Sequence, residues 1–223
     1  MINKDAYKKL SGECNAKNVT LVAVSKTKPV EDILELYSLG ERDFGENYVQ
    51  ELLEKESELP KDIHWHFIGH LQTNKVKQII EFVHLIHGVD SLKLLQEINK
   101  QSEKINKITN VLLQMHIAQE ETKFGLDEDE LNEIISQFGN SAMMNVNVVG
   151  LMGMASNTDD INKVKGEFHY LKSLLDKCNK LSTINSQLSI LSMGMTADYK
   201  IAIEEGSNMI RIGSLIFGTR NYN

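Results

Sequence analysis

The chain has 223 residues with only two prolines, Pro29 and Pro60, and no Ser/Gly-rich stretch between its halves, which argues for one domain over residues 1–223. Its 41% hydrophobic and 25% charged residues suit a globular protein that buries a full core, excluding disordered, collagenous and disulfide-scaffold classes. The 31 acidic residues outnumber the 24 basic ones, and a net charge of −7 has the wrong sign for neutralising a phosphate backbone, so no nucleic-acid partner is expected.

The N-terminus, MINKDAYKKL, lacks the apolar centre of a secretory signal. The charge-free stretch Phe138 to Thr158 carries four asparagines and cannot serve as a membrane span. Cys14 and Cys178 have neither zinc nor redox spacing and read as free thiols of a cytoplasmic protein.

In chain order, an amphipathic segment precedes an apolar strand at Val19–Lys26 and a helix at Val30–Leu39 that Gly40 stops. Strands then follow at Asp43–Asn47, His64–His70, His84–Asp90 and Asn110–Ile117, with helices at Tyr48–Ser57, Asn74–Phe82, Ser91–Lys104 and Asp127–Phe138. The strand at Asn145–Met154 leads to a helix at Asp159–Lys180, and the strand at Leu188–Met195 to one at Thr196–Glu205. A last strand is expected over Met209–Gly218. Eight strands alternating with helices demand a parallel sheet and favour closure into an α/β (β/α)₈ TIM barrel over an open sheet. Neither GxGxxG nor GxxxxGK[ST] is present, which removes the usual phosphate loops of open sheets.

In a barrel the chemistry gathers at the carboxyl ends of the strands. Lys26 ends the first strand, and alternation puts it on one face with Val22 and Val24. Desolvation at an apolar rim favours the neutral amine, which can form an imine with an aldehyde; a lysine snorkelling into water is the alternative. The seventh strand ends in Ser192-Met-Gly194-Met195-Thr196, and the eighth carries Arg211-Ile-Gly213-Ser214. Hydroxyls and glycines at these two strand ends suit a phosphate, although glycines there also relieve crowding. Arg211, pointing inward, needs an acceptor: a salt bridge, or the ring nitrogen of a ligand. Met152, Met154, Met193 and Met195 read as core fillers.

Six segments in order carry a resemblance: AVSKTKP (23–29), FGENYVQE (44–51), WHFIGHLQTNK (65–75), GLM (150–152), LSMGMTAD (191–198) and RIGSLIFG (211–218). Together they are similar to the pyridoxal phosphate homeostasis protein family. The resemblance implies one barrel like the N-terminal domain of alanine racemase, holding pyridoxal 5′-phosphate. Lys26 matches the imine-forming lysine and Arg211 the arginine that faces the pyridine nitrogen. Ser192, Met195, Thr196, Gly213 and Ser214 fall at the phosphate, with Asn47 and His66 near the ring. Two positions depart from the family pattern: His70 stands where proline is usual and His116 where asparagine is, which adds polar groups near the expected pocket.

An arginine at the ring nitrogen keeps it unprotonated, so carbanions are poorly stabilised. Racemases with that arginine add a tyrosine from another domain and the partner subunit, for which a chain ending at Asn223 leaves no room; Tyr48, Tyr199 and Tyr222 lie in no motif tied to the ring. The expectation is therefore a monomeric, non-catalytic carrier and buffer that releases its aldehyde to apoenzymes dependent on this cofactor. An amino acid racemase is the first rival. A metal-dependent barrel hydrolase is the second, prompted by His64-Trp-His66, His70 and His84-x-x-His87, since histidines two apart share a strand face. Barrel hydrolases carry that pair on the first strand, however, and Glu46 and Asp90 form no recognisable bridging set.

Overall fold

Asn3 opens the chain's structure by accepting the Ala6 amide at 3.0 Å, capping helix α1 (Lys4–Ala16). In the computed structural model, which describes residues 2–118, 120, 124–138, 143–180 and 187–218, strand and helix then alternate. The elements are β1 (Thr20–Val24), α2 (Val30–Ser38), β2 (Asp43–Glu46), α3 (Val49–Glu58), β3 (His64–Phe67) and α4 (Val76–Ile79). They continue with β4 (Leu85–Val89), α5 (Leu92–Lys104), β5 (Thr109–Met115), α6 (Glu128–Phe138) and β6 (Val146–Gly153). The last are α7 (Ile161–Lys180), β7 (Ile190–Ser192), α8 (Tyr199–Glu204), β8 (Met209–Ile212) and α9 (Ser214–Phe217).

Each strand pairs in parallel with the next, and β8 closes on β1, so the sheet is the expected closed eight-stranded barrel. Alternation along the strands sorts side chains into two apolar layers. Leu21, Ala23, Phe44, Trp65, Phe67 and Ile86 face outward and pack with Ile33, Leu36, Leu52, Leu95 and Phe168 of the helices. Each such buried side chain contributes about 1.5–3 kcal/mol. Val22, Leu85, Leu112, Met152 and Met209 fill the interior. That interior also holds polar groups, because His66, His87, Ser192 and Arg211 are all buried.

The third and seventh strands are shorter than the sequence suggests, at His64–Phe67 and Ile190–Ser192, and two further elements change in kind. The helix expected over Asn74–Phe82 contracts to a 3₁₀ turn at Thr73–Lys75 and the single turn of α4, whose start lacks a side-chain cap. The final strand stops at Ile212: the amides of Ile216 and Phe217 bond the Gly213 carbonyl at 3.0 and 2.8 Å, which winds the apolar run into α9. A short apolar run fits strand or helix equally, and here docking on α1 decides, with the Asn3 amide bonded to the Ile216 carbonyl at 2.7 Å. Among the described residues no helix is long and apolar enough to cross a membrane. Cys14 and Cys178 are buried free thiols.

Candidate functional site

A cavity of about 330 Å³ opens at the carboxyl ends of the strands. Val24, Lys26, Asn47, Met195, Thr196, Arg211, Gly213 and Ser214 line it, so seven of the nine site residues expected from sequence meet there: all but Ser192 and His66. Lys26 lies in a tight turn past β1, closed by the Lys28 amide on the Ser25 carbonyl at 3.0 Å. The turn holds Thr27 at φ 63°, a left-handed conformation that costs a β-branched residue about 1–3 kcal/mol.

A polar clamp on the outer side of the barrel holds that turn. The Thr27 amide donates to Glu51 Oε1 at 2.5 Å, and Ser25 Oγ donates to Glu46 Oε1 at 2.6 Å. Lys55 Nζ ties them together, donating to the Ser25 carbonyl and to Glu46 Oε1 at 2.8 Å each, and to Glu51 Oε1 at 2.6 Å. Sequence reasoning weighed Glu46 only as a motif letter and a strand-end carboxylate, had Glu51 only as a motif letter, and missed Lys55. The i,i+4 spacing of Glu51 and Lys55 on one helix face was the available signal.

Burial of Glu46 pushes its carboxyl up to about 7 despite Lys55, and its second oxygen has no hydrogen-bond partner. A carboxyl whose folded pKa lies above its unfolded value stabilises the fold below the unfolded value, near 4.5, and loses that contribution as pH rises to about 7. Relative to Glu46→Gln, which cannot ionise, the native protein is expected to lose about 1.4 kcal/mol per pH unit across that window and nothing further above it. Urea unfolding of both proteins at several pH values checks this; a difference independent of pH contradicts it.

The opposite wall comes from β7 and β8. Gly194 turns at φ 97°, where a Cβ would stand 2.6 Å from that of Ala202, so only glycine fits. The Met195 amide then donates to Asp198 Oδ1 at 2.6 Å, fixing the loop that presents Thr196. Ser214 Oγ lies 3.2 Å from Thr196 Oγ1, which places two hydroxyls side by side for an anion. At Gly213 a Cβ would meet the Val24 carbonyl at 3.1 Å, so the cradle is narrow. Because α8 and α9 have six and four residues, hydroxyl and amide groups matter here more than a helix dipole.

Arg211 is buried, and among the described residues no carboxylate pairs with it. Its guanidinium donates to the Ser192 carbonyl at 2.9 Å, to Ser192 Oγ at 2.6 Å and to the Gly153 carbonyl at 3.1 Å. Burial lowers its pKa to about 10, which leaves it a cation at neutral pH. Ser192, expected from sequence at the phosphate, is fully buried, and its hydroxyl holds the arginine.

His66 is likewise not at the cavity. It lies inside the barrel two residues before Ile68, which does line it, and its Nδ1 is 2.9 Å from His87 Nε2. His87 Nδ1 is 3.1 Å from Ser192 Oγ, so the two histidines extend the Arg211–Ser192 contact downward through the barrel. Burial depresses the His87 pKa far below the usual imidazole value, keeping that ring neutral. His70 bonds Asp90 at 2.8 Å and stacks on Phe124, and His116 bonds the Glu120 carbonyl at 3.0 Å; neither lines the cavity. Met154 and Met195 do line it rather than only filling core, and Met195 is 40% exposed.

Lys28 was also missed, although it stands in the same motif two residues after Lys26. It lines the cavity, and its Nζ donates to the Phe217 and Gly218 carbonyls at 2.9 and 3.4 Å. Asn47 carries the clearest sign of a ligand, since its buried Oδ1 has no hydrogen-bond partner among the described residues. An amine, two adjacent hydroxyls, a buried cation and an unpartnered amide oxygen around one cavity fit a small phosphorylated carbonyl compound with a heteroaromatic ring.

The alanine racemase N-terminal domain family matches residues 4–221. The pyridoxal phosphate homeostasis protein of Aquifex aeolicus is 41% identical over 203 residues, covering 91% of this chain and 87% of that one. The structure of PipY from Synechococcus elongatus without PLP superposes with a TM-score of 0.89 at 30% identity, over 96% of this chain and 99% of that one. The same protein with PLP bound gives 0.83 at 32% identity, over 90% and 93%. An alanine racemase of Clostridium difficile, at 15% identity and a TM-score of 0.75, shares the fold across all of this chain and 59% of its own.

Proposed function

The chain belongs to the alanine racemase N-terminal domain family and, within it, to the pyridoxal phosphate homeostasis proteins, and from that membership we propose that it binds pyridoxal 5′-phosphate and acts as its carrier and buffer. The observation that carries this is the convergence of Lys26, Arg211, Thr196 and Ser214 on one cavity. The cofactor supplies an aldehyde that condenses reversibly with a primary amine.

Lys26 supplies that amine, on a turn locked from behind by Glu46, Glu51 and Lys55. The Thr196 and Ser214 hydroxyls, with the backbone at Gly213, would hold the phosphate. Arg211, kept in place by Ser192 and Gly153, would stand toward the ring nitrogen as a donor that has no proton to lend it. Asn47 offers its buried oxygen to a donor on the ligand, while Val24, Ile68, Met154 and Met195 form apolar walls that exclude water.

A ring nitrogen without a proton makes a weak electron sink, and racemisation then needs a strong second acid–base group. Among the described residues no tyrosine, histidine or carboxylate lines the cavity. Tyr48 is 59% exposed, Tyr199 packs at the start of α8, and Tyr222 lies outside the described residues. These features favour a carrier over a racemase. We read residues 1–223 as a single cytoplasmic domain that works as a monomer and hands its cofactor to apoenzymes.

Loaded protein, freed of excess ligand by gel filtration, is expected to elute with the mass of one chain and to restore activity to an apo-aminotransferase. In deuterated water it is expected to exchange the α-proton of L-alanine no faster than Lys26→Ala does. Rapid exchange lost in that variant reassigns the protein as a racemase.

A further inference from the structure

The end of the barrel opposite the cavity gathers a second set of side chains. Asp43 and His64 are the first residues of β2 and β3, His66 lies further along β3, and His84 immediately precedes β4. Asp43 Oδ1 lies 2.9 Å from His66 Nε2 and 3.2 Å from His64 Nδ1. The His84 ring stacks on that of His64, with centroids 4.5 Å apart, and tilts against that of His66 at 5.4 Å. One ligand atom from each of Asp43, His66 and His84 lies within 4.8 Å of the others.

From this arrangement we propose that Asp43, His66 and His84 bind a zinc-type divalent cation that cross-links the amino ends of β2, β3 and the segment leading into β4. Tetrahedral zinc with bonds of about 2.0–2.2 Å places its ligand atoms about 3.3 Å apart. The Asp43–His66 pair already stands near that spacing, so only His84, at the exposed rim, has to swing inward. His64 beside it is the available fourth ligand.

The ligand chemistry selects the ion. One carboxylate and two or three imidazoles suit zinc or cobalt, whereas magnesium and calcium prefer sets made of oxygen. His66 has the outer support such ligands carry: its Nδ1 rests on His87 Nε2, which fixes the ring and turns Nε2 toward Asp43. Exposed His64 and His84 leave a path for the ion to enter. The site faces away from the cavity, so the cation acts as a brace rather than as part of a hydrolase.

The test uses the full chain without an affinity tag. Dialysis against Zn²⁺, then gel filtration and elemental analysis, is expected to leave one ion per chain, and added Zn²⁺ to raise the unfolding temperature. Co²⁺ in its place should show the visible bands of a four-coordinate site. His84→Ala and the size-conserving His84→Gln, both at an exposed position, are expected to weaken binding at least about tenfold while leaving pyridoxal phosphate binding intact. His70→Ala, on the opposite mouth with Asp90, should bind the ion as the native chain does. No stoichiometric ion in the native chain, or equal binding by the His84 variants, overturns the proposal.

Discussion

Lys26→Ala is expected to lose retention of pyridoxal phosphate by at least about a hundredfold, the equivalent of about 3 kcal/mol, while folding as the native protein does. Folding survives because the turn is held by groups other than the Lys26 side chain: the Thr27 amide on Glu51, the Lys28 amide on Ser25 and Lys55 on both glutamates. What remains in the variant is the grip of hydroxyls, amides and Arg211, without the covalent link.

Borohydride reduction of the loaded protein and peptide mapping locate the amine directly. Added mass is expected on Lys26 in the native chain and on no residue of the variant. Lys28 is the informative competitor, because among the described residues it is the other primary amine on the cavity wall. Its Nζ is held by the Phe217 and Gly218 carbonyls, which pull it toward α9. Mass found on Lys28 in the native chain would move the reactive amine by two residues and refute the assignment of Lys26.

Gly150→Ala is expected to cost about 3–5 kcal/mol or to prevent folding, although alanine adds one carbon. A Cβ at this position would stand 1.8 Å from the Ile190 carbonyl oxygen and 2.6 Å from its carbon, both backbone atoms of the paired strand. Relief requires β7 to move off β6. β7 has only three residues, so a shift at the β6–β7 seam moves the whole strand. It also carries Ser192 and the loop to Thr196, so displacement loosens Arg211 and the cradle together.

Gly166→Ala supplies the contrast. A Cβ there, in the middle of α7, meets nothing within 4 Å, and the change should stabilise by about 0.5–1 kcal/mol through helix propensity. Urea unfolding separates the two. A Gly150→Ala protein within about 1 kcal/mol of native would show that the seam yields more easily than the backbone clash implies.

Gly150 also shows how far the sequence could be read. It stood in a recognised motif, GLM, yet nothing in the string says that a neighbouring carbonyl occupies the space of its side chain. The same holds for the clamp behind Lys26: Ser25, Glu46 and Lys55 are far apart in the string, and they meet only once β2 is paired with β1 and α3 is packed over it. Lys28 became a site residue only when closure of the barrel brought the loop after β1 to the same mouth as β7 and β8, where Asn47, already expected from its motif, also stands.

Alternating apolar and helical segments determined a parallel sheet from the string alone, because parallel strands need crossovers; eight strands favoured a barrel, and the pairing of β8 with β1 decided it. Ordered motifs likewise determined the family, and strand parity put Val22, Val24 and Lys26 on one inward face. Parity names a face but not a height. Residues two apart differ by about 6.6 Å along a strand, and only the registers of the paired strands set how high each one stands in the barrel. That is why Ser192 grips Arg211 beneath the cradle and His66 lies near Asp43 at the far end, while Thr196, Ser214 and Lys26 meet at the mouth.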